Sequence, residues 1–286
     1  MTQHVPVLLE ELLALLQPTA NQHFIDATLG GAGMAHAFLD HTKPNGVVVG
    51  IEQDVAAIKN VKKHERLHIV QGNFRNILEL TSEYDQIDGI YFDLGISSDQ
   101  LLRKGGISFQ DPNAPLDMRM NTKEGFTAAD LLNSAAEKDI VNILSAYGEE
   151  RKSKTVAREI IKARTVKPFA TVEDLLNVVQ VVYPKKYYKK HPGTQIWQAL
   201  RIAVNDELDA IEEALPKAFE KLSSGGRVAV ISVHSLEDRI VKNYFKTITK
   251  EGKAKLLNKK IIIPTDKELK INPRARSAKL RGIEKK

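Results

Sequence analysis

The stretch IDGIYFDLG, residues 87–95, is an apolar run that ends on Asp93 and breaks at Gly95. Three earlier runs share its β-branched, apolar character and are separated by segments of helical length: HFIDATLG at 23–30, GVVVGIE at 46–52 and RLHIVQGNF at 66–74. Strands that alternate with helices predict a parallel sheet in an α/β fold. Ligands of open parallel sheets bind outside the carboxyl ends of the strands, so Asp93 is a candidate functional residue.

The sheet resumes only at RVAVISV, residues 227–233, where Gly225 and Gly226 turn the chain into a returning strand. More than a hundred residues separate this run from Asp93. An ordinary crossover between parallel strands needs only a dozen or so. The sequence therefore predicts that a subdomain is inserted between the two strands.

The inserted segment has the pattern of helices. Two capping boxes, Thr127 with Asp130 and Thr171 with Asp174, open the amphipathic runs AADLLNSAAEKDIVNILSAY and VEDLLNVVQVVY. These signals predict an all-helical insert at 104–205 and a discontinuous sheet domain at 1–103 plus 206–286.

The composition excludes several classes of protein and several chemistries. The chain has 286 residues, of which 42% are hydrophobic, enough to bury a full core. No apolar run approaches the ~20 residues that cross a bilayer, and no export signal is present, so a cytoplasmic protein without a membrane partner is expected. Because cysteine is absent, a cysteine nucleophile, a cysteine-held iron–sulfur cluster and a thiolate zinc site are excluded. No histidine and carboxylate grouping has a metal-motif spacing, so no metal is expected.

The positive charge is concentrated towards the end of the chain. Residues 246–286 contain 14 Lys and Arg against 4 Asp and Glu, so the other residues carry a net charge of −4 within the total of +6. A basic arm on an acidic body is typical of polyanion binding, and a solvated tail is the alternative. A second basic segment, KKYYKKH at 185–191, fits a grip on single-stranded RNA and an exposed helix end equally well.

A glycine-rich turn, DATLGGAGM at 26–34, follows the first predicted strand. It does not fit a dinucleotide fingerprint, because Ala32 and His36 occupy positions that this motif reserves for smaller residues. The second strand ends on Glu52, where a carboxylate can accept hydrogen bonds from both hydroxyls of a ribose. A nucleoside-containing cofactor is therefore expected, and the alternative is an ordinary turn followed by a surface acid.

Four motifs together resemble the bacterial small-subunit ribosomal RNA cytosine-N4 methyltransferases: FDLGISSDQ at 92–100, PLDMRM at 115–120, SVHSLEDRIVK at 232–242 and NPRARSAKLR at 272–281. The resemblance implies a Rossmann-like class I methyltransferase sheet and S-adenosylmethionine as the cofactor. It also implies that the acceptor is N4 of a cytidine in the decoding region of 16S rRNA, within the small ribosomal subunit.

The resemblance also implies roles for individual residues. Its cofactor contacts correspond to Ala32, Gly33, Met34, Glu52, Phe74, Asp93 and Gln100. Its candidate catalytic residues are Asp93 and His234. Its candidate RNA contacts are Asp117, Arg119, Trp197, Arg201, Ser232, Ser235, Arg274, Arg276, Lys279 and Arg281. The sequence departs from the family pattern at Met34, where a histidine is usual, and at Glu52, where an aspartate is usual.

Several of these residues also fit structural roles. Gln100 lies three residues after Ser97 and Asp238 three residues after Ser235, so each pair predicts a capping box. Trp197 is at a helical spacing that also suits a core position, and a lone histidine is more often structural than catalytic.

Three functions remain open from the sequence. The first is a methyltransferase that acts on 16S rRNA in assembled small subunits. The second keeps the cofactor but has another nucleic-acid amine or a small molecule as the acceptor. This alternative is open because the insert departs from the family pattern at Asn113 and Gln195. The third is a ribosome-binding assembly factor that has lost catalysis.

Overall fold

The computed structural model describes residues 6–95, 106–184, 188 and 191–286, and the chain divides into two compact units. Unit 1 comprises Met1–Ser97 and Leu208–Lys286, and unit 2 comprises Ser98–Glu207. Within the described ranges, no helix has both the length and the apolar content needed to cross a membrane.

Unit 1 contains a seven-stranded sheet. Its strands are β1 (Phe24–Asp26), β2 (Val48–Glu52), β3 (Leu67–Gln71), β4 (Gly89–Asp93), β5 (Arg227–Ser232), β6 (Ala254–Leu256) and β7 (Lys279–Lys285). Their order is β3-β2-β1-β4-β5-β7-β6. The first five strands are parallel, whereas β7 runs antiparallel to both β5 and β6. The predicted α/β class and its five parallel strands are confirmed.

The described residues contain twelve α-helices. They are α1 (Leu9–Leu16), α2 (Gly33–His41), α3 (Val55–Asn60), α4 (Ile77–Leu80), α5 (Ala128–Ser134), α6 (Glu137–Gly148), α7 (Ser153–Val166), α8 (Val172–Val182), α9 (Gly193–Asn205), α10 (Glu207–Lys221), α11 (Ser235–Lys250) and α12 (Asp266–Ile271).

Alternate residues of the central strands enter two different cores, one on each face of the sheet. One core receives Ile25, Val49, Ile51, Ile90, Phe92, Val228 and Val230. The other receives Phe24, Val48, Tyr91, Ala229 and Ile231. A parallel sheet that is covered on both faces needs apolar residues at successive positions, which explains the unbroken apolar runs in the sequence.

The described part of unit 2 contains helices α5–α9. Both predicted capping boxes are present, with Thr127 and Asp130 at the start of α5 and Thr171 and Asp174 at the start of α8. The run predicted as one amphipathic segment from Ala128 is two helices, because the chain is extended where α5 ends and α6 begins.

Helices α6 and α9 of unit 2 approach each other closely at Gly148. A Cβ atom at this position would lie 2.5 Å from the carbonyl oxygen of Gln195 and 3.0 Å from Cβ of Ala199. A side chain here would therefore force the two helices apart, so the glycine permits their contact.

Part of the predicted basic arm belongs to the sheet. Leu280 and Ile283 of β7 are fully buried, and the strand pairs with β5 along its length. The solvated-tail alternative is therefore wrong for residues 279–285, since this segment is an internal strand of the sheet.

Candidate functional site

Acidic side chains gather at the carboxyl ends of the parallel strands in unit 1. Asp26, Glu52 and Asp93 are the last residues of β1, β2 and β4, and Glu237 lies in the first turn of α11, which follows β5. Asp26, Glu52 and Glu237 are at most 7% exposed. The sheet thus brings four carboxyl groups to the edge where open α/β sheets bind ligands.

The glycine-rich turn between β1 and α2 is held from both sides. Asp26 Oδ1 accepts a hydrogen bond from the Thr28 backbone N–H at 3.1 Å, and Thr28 Oγ1 accepts one from the Asp93 N–H at 2.7 Å. A Cβ atom added at Gly31 would meet no heavy atom within 4 Å. The turn is therefore anchored to the sheet but leaves open space beside Gly31.

Glu52 fixes the turn as well. Its Oε2 accepts a hydrogen bond from the Gly30 N–H at 2.9 Å, and its Oε1 accepts one from the Asp54 N–H at 2.8 Å. Burial raises the pKa of Glu52, and the two backbone hydrogen bonds oppose that rise. Since each carboxylate oxygen has a second lone pair, Glu52 can still accept hydrogen bonds from a ligand.

Burial raises the pKa of both Asp26 and Asp93 to about 7. The neighbouring Glu237 carboxylate contributes to the rise at Asp93, and Asp93 and Glu52 contribute to the rise at Asp26. Among the described residues, no lysine, arginine or histidine forms an ion pair with Asp26, Glu52 or Asp93. Clustered carboxyl groups without a cation fit a positively charged ligand, which would stabilise their ionised forms.

His234 and Glu237 form the N-terminal cap of α11. Glu237 Oε2 accepts hydrogen bonds from the Val233 N–H at 2.8 Å and the His234 N–H at 3.2 Å. In return, His234 Nδ1 accepts the Glu237 N–H at 3.4 Å, and His234 Nε2 lies 3.1 Å from Glu237 Oε1. The predicted capping box of Ser235 with Asp238 is therefore wrong, because the histidine one residue earlier is the cap.

The family model described as the MraW methylase family matches residues 1–286. The chain belongs to this family. A protein of Heliobacterium mobile called ribosomal RNA small subunit methyltransferase H is 44% identical, over 99% of this chain and 98% of that protein. A protein of the same name from Coprothermobacter proteolyticus is 40% identical, over 99% of this chain and 96% of that protein. An rRNA methylase structure from Streptococcus thermophilus has a TM-score of 0.46 at 11% identity, over 100% of this chain and 98% of that chain.

Membership of the MraW methylase family confirms the predicted family, enzyme class and cofactor, S-adenosylmethionine. The residues at the carboxyl edge fit this group. Its sulfonium and ammonium charges match the carboxyl cluster around Asp26 and Asp93, and the space beside Gly31 allows a ligand to approach the backbone. S-adenosylmethionine supplies an electrophilic methyl group when it is bound.

The other predicted cofactor residues of this MraW family member have different surroundings. Ala32 is the fully buried N-cap of α2 with a φ of 61°, and Gly33 is exposed at the start of that helix. Met34 is 6% exposed and packs in the core around β1. Phe74 packs edge-on against Phe92 of β4, with ring centroids 5.7 Å apart. Gln100 and its predicted cap partner lie outside the described residues.

In unit 2, two predicted RNA-binding arginines have carboxylate partners. Arg119 donates to both oxygens of Asp117, from Nε at 2.7 Å and from Nη2 at 2.9 Å, so the structure brings this predicted pair together. Arg201 likewise donates to both oxygens of Glu207, at 2.8 and 2.9 Å. The PLDMRM loop that carries the first pair is held in a left-handed conformation at Met118, which has a φ of 65°.

The remaining predicted RNA contact of unit 2, Trp197, is buried. Only 3% of its surface is exposed, and its Nε1 donates a hydrogen bond to the Gly106 carbonyl at 2.9 Å. In this conformation its ring packs inside unit 2, and its predicted contact with RNA stays a prediction.

The predicted RNA contacts near the end of the chain differ in their exposure, and Lys279 and Arg281 are only partly buried. Ser232 is buried and donates to the Lys279 carbonyl at 3.4 Å, and Asp238 pairs with Arg281 at 2.7 Å and with Lys279 at 3.6 Å. The exposed members are Ser235, Arg274 and Arg276. Exposure leaves these residues accessible to a ligand.

Sequence reasoning missed Asp26, Thr28 and Glu237 as parts of the site. Asp26 directly precedes the glycine turn and ends β1, so the rule that selected Asp93 as a strand-end acid would have selected it too. Glu237 stands three residues after His234, the spacing of a capping box. Histidine is not among the usual cap residues, however, and the sequence therefore predicted Ser235 as the cap.

Proposed function

We propose that this methyltransferase transfers a methyl group to N4 of a cytidine in 16S rRNA, on small ribosomal subunits in the cytoplasm. The proposal is supported by full-length similarity to relatives that are named ribosomal RNA small subunit methyltransferase H. The observation that carries it in the structure is the carboxyl cluster beside the glycine turn, which combines a site for a cationic cofactor with candidate proton acceptors.

The acceptor amine requires help from the protein, because its lone pair is delocalised into the pyrimidine ring. A group that accepts a proton or a hydrogen bond from the amine localises electron density on the nitrogen. Asp93 suits this role, since it lies at the carboxyl end of β4 and burial raises its pKa to about 7 in the cofactor-free protein, so a bound cationic cofactor would favour the carboxylate that accepts the proton. His234 is the second candidate catalytic residue, because it follows the end of β5 and its ring can donate or accept a hydrogen bond.

Glu52 and the glycine turn would hold the cofactor. Glu52 already accepts the Gly30 N–H and keeps free lone pairs for the hydroxyls of a ribose. Ala32, Gly33, Met34, Phe74 and Gln100 complete the proposed cofactor contacts.

We propose the sheet domain, 1–103 plus 206–286, as the methyltransferase domain and the insert, 104–205, as the RNA-recognition domain. Exposed Arg274 and Arg276 suit contacts with phosphate groups, which rely on charge and hydrogen bonding. Arg201 is paired with Glu207 and would need to exchange this carboxylate for phosphate to contact RNA.

The decisive experiment is mass spectrometry of nucleosides from undermethylated small subunits that have been incubated with the protein and labelled S-adenosylmethionine. Labelled N4-methylcytidine is expected with the wild-type protein, and the isosteric variant Asp93→Asn should greatly reduce it. A label in another nucleoside would move the assignment to another amine. Saturable cofactor binding without any labelled product on subunits would contradict the proposed acceptor.

The state of the RNA is a separate part of the proposal. Because ribosomal RNA reaches its folded form together with ribosomal proteins, the assembled or nearly assembled subunit is the expected substrate. Initial rates on subunits should exceed those on short naked oligonucleotides that contain the same target cytidine. Equal rates on both substrates would refute this part and leave the assignment of the acceptor atom intact.

A further inference from the structure

An aromatic column runs from the interior of unit 2 to its surface. Trp197 is its buried end. The half-buried ring of Phe109 meets Trp197 edge-on, with centroids 5.3 Å apart and planes at 72°. The exposed ring of His191 stacks on Phe109, with centroids 4.4 Å apart and planes at 23°.

The His191 ring is held in place by the start of α9. Its Nδ1 accepts a hydrogen bond from the Gly193 backbone N–H at 3.1 Å. A Cβ atom at residue 193 would lie 2.9 Å from that nitrogen and 3.3 Å from Cε3 of Trp197, so only glycine leaves room for both rings. An exposed imidazole is therefore fixed in orientation before any ligand arrives, which lowers the entropy lost on binding.

Packing accounts for only part of the column. Trp197 fills the interior of unit 2 and satisfies its N–H group, and Phe109 covers it. His191 is exposed, so its stacked position buries little apolar surface. An oriented aromatic ring at the surface is, however, what proteins use to stack nucleobases.

We propose that His191, supported by Phe109, is a stacking platform for a base of the RNA substrate. This inference rests on the proposed function and names a residue that recognises its substrate. Since Nδ1 accepts the Gly193 N–H, the neutral ring carries its proton on Nε2 and can also donate a hydrogen bond to the RNA.

Steady-state methylation of undermethylated small subunits tests the platform. His191→Ala should raise the KM for subunits roughly ten-fold, the effect of losing one stacked base. The kcat and the Kd for S-adenosylmethionine should not change, because the lost contact stabilises the bound subunit and the transition state equally. His191→Phe keeps a ring that can stack and should restore most of the affinity. Phe109→Leu keeps an apolar side chain but removes the supporting ring, and it should raise the KM.

His41→Ala is the matched control and should leave the KM unchanged. His41 is an exposed histidine in unit 1, and its ring hydrogen-bonds to the Ala37 carbonyl. If His191→Ala forms product with the KM of the wild-type protein, the stacking platform is refuted. The proposed function would still stand, because product is formed. A defect in His191→Phe as large as that in His191→Ala would also overturn it, because stacking would not be the property that matters. No product from the wild-type protein would overturn the proposed function and the platform with it.

Discussion

Replacing Asp26 with asparagine should remove a large part of the pH dependence of stability in the cofactor-free protein. Asp26 is 2% exposed, and burial raises its pKa from 3.8 to about 7. Between these values the unfolded chain has lost a proton that the folded protein keeps. The free energy of unfolding therefore falls as the pH rises through this window and levels off above it.

The size of the effect follows from the shift in pKa. A rise of this size destabilises the folded state by about 4 kcal/mol at a pH well above 7, of which about 3 kcal/mol develops between pH 5 and pH 8. A domain is typically stable by only about 5–15 kcal/mol, so this loss is substantial. Asparagine keeps an oxygen that can accept the Thr28 N–H and has no proton to lose.

Urea unfolding of the wild-type protein and of Asp26→Asn across this pH range measures the effect. The variant should gain stability relative to the wild type as the pH rises. Asp85→Asn, at an exposed carboxyl group, is the control and should follow the wild type. The same slope in all three proteins would refute the reasoning. Saturating S-adenosylmethionine should reduce the loss in the wild-type protein, because its positive charges favour the ionised carboxylates.

Three further changes test other parts of the structure. Gly31→Ala should leave the urea midpoint unchanged but weaken S-adenosylmethionine binding by calorimetry, because its methyl group would occupy the open space beside the turn; unchanged affinity would place the cofactor elsewhere. Gly148→Ala should destabilise the protein by about 1–3 kcal/mol in urea unfolding, since its Cβ would clash with backbone, and a neutral effect would contradict the close approach of α6 and α9. Arg276→Gln should raise the KM for subunits, because Arg276 is exposed. Arg281→Gln should mainly lower the unfolding midpoint, because Arg281 pairs with Asp238. The reverse result would make Arg281 the RNA contact.

The parallel half of the sheet could be predicted because its signals are local. Each of β1–β5 is a short apolar run, and the acids that end β2 and β4 stand directly after buried residues. The carboxyl edge follows from that pattern, so Glu52 and Asp93 were predicted from the sequence. Their pKa values could not be predicted from the sequence, since these depend on how much protein surrounds each carboxyl group.

The strands β6 and β7 could not be predicted in the same way. In KLRGIEK the charged residues dominate the composition, and the two fully buried residues, Leu280 and Ile283, give too short an apolar pattern to stand out. What makes this segment a strand is its pairing with β5, some 50 residues earlier in the chain. Pairing at that distance leaves no local signal of a strand, so the segment was recognised by its basic charge and by the motif that ends at Arg281, and its strand was missed.

The position of unit 2 within the chain has a consequence for the order of folding. Strands β4 and β5 are neighbours in the sheet, although 133 residues lie between Asp93 and Arg227. Helices α5–α8 are joined by short connections, and such local contacts form faster than distant strand pairs. If unit 2 folds first, most of the residues between β4 and β5 have already lost their conformational freedom, which lowers the entropic cost of closing that loop. A change that slows the folding of the helices, such as a proline within α6, is therefore expected to delay the pairing of β4 with β5.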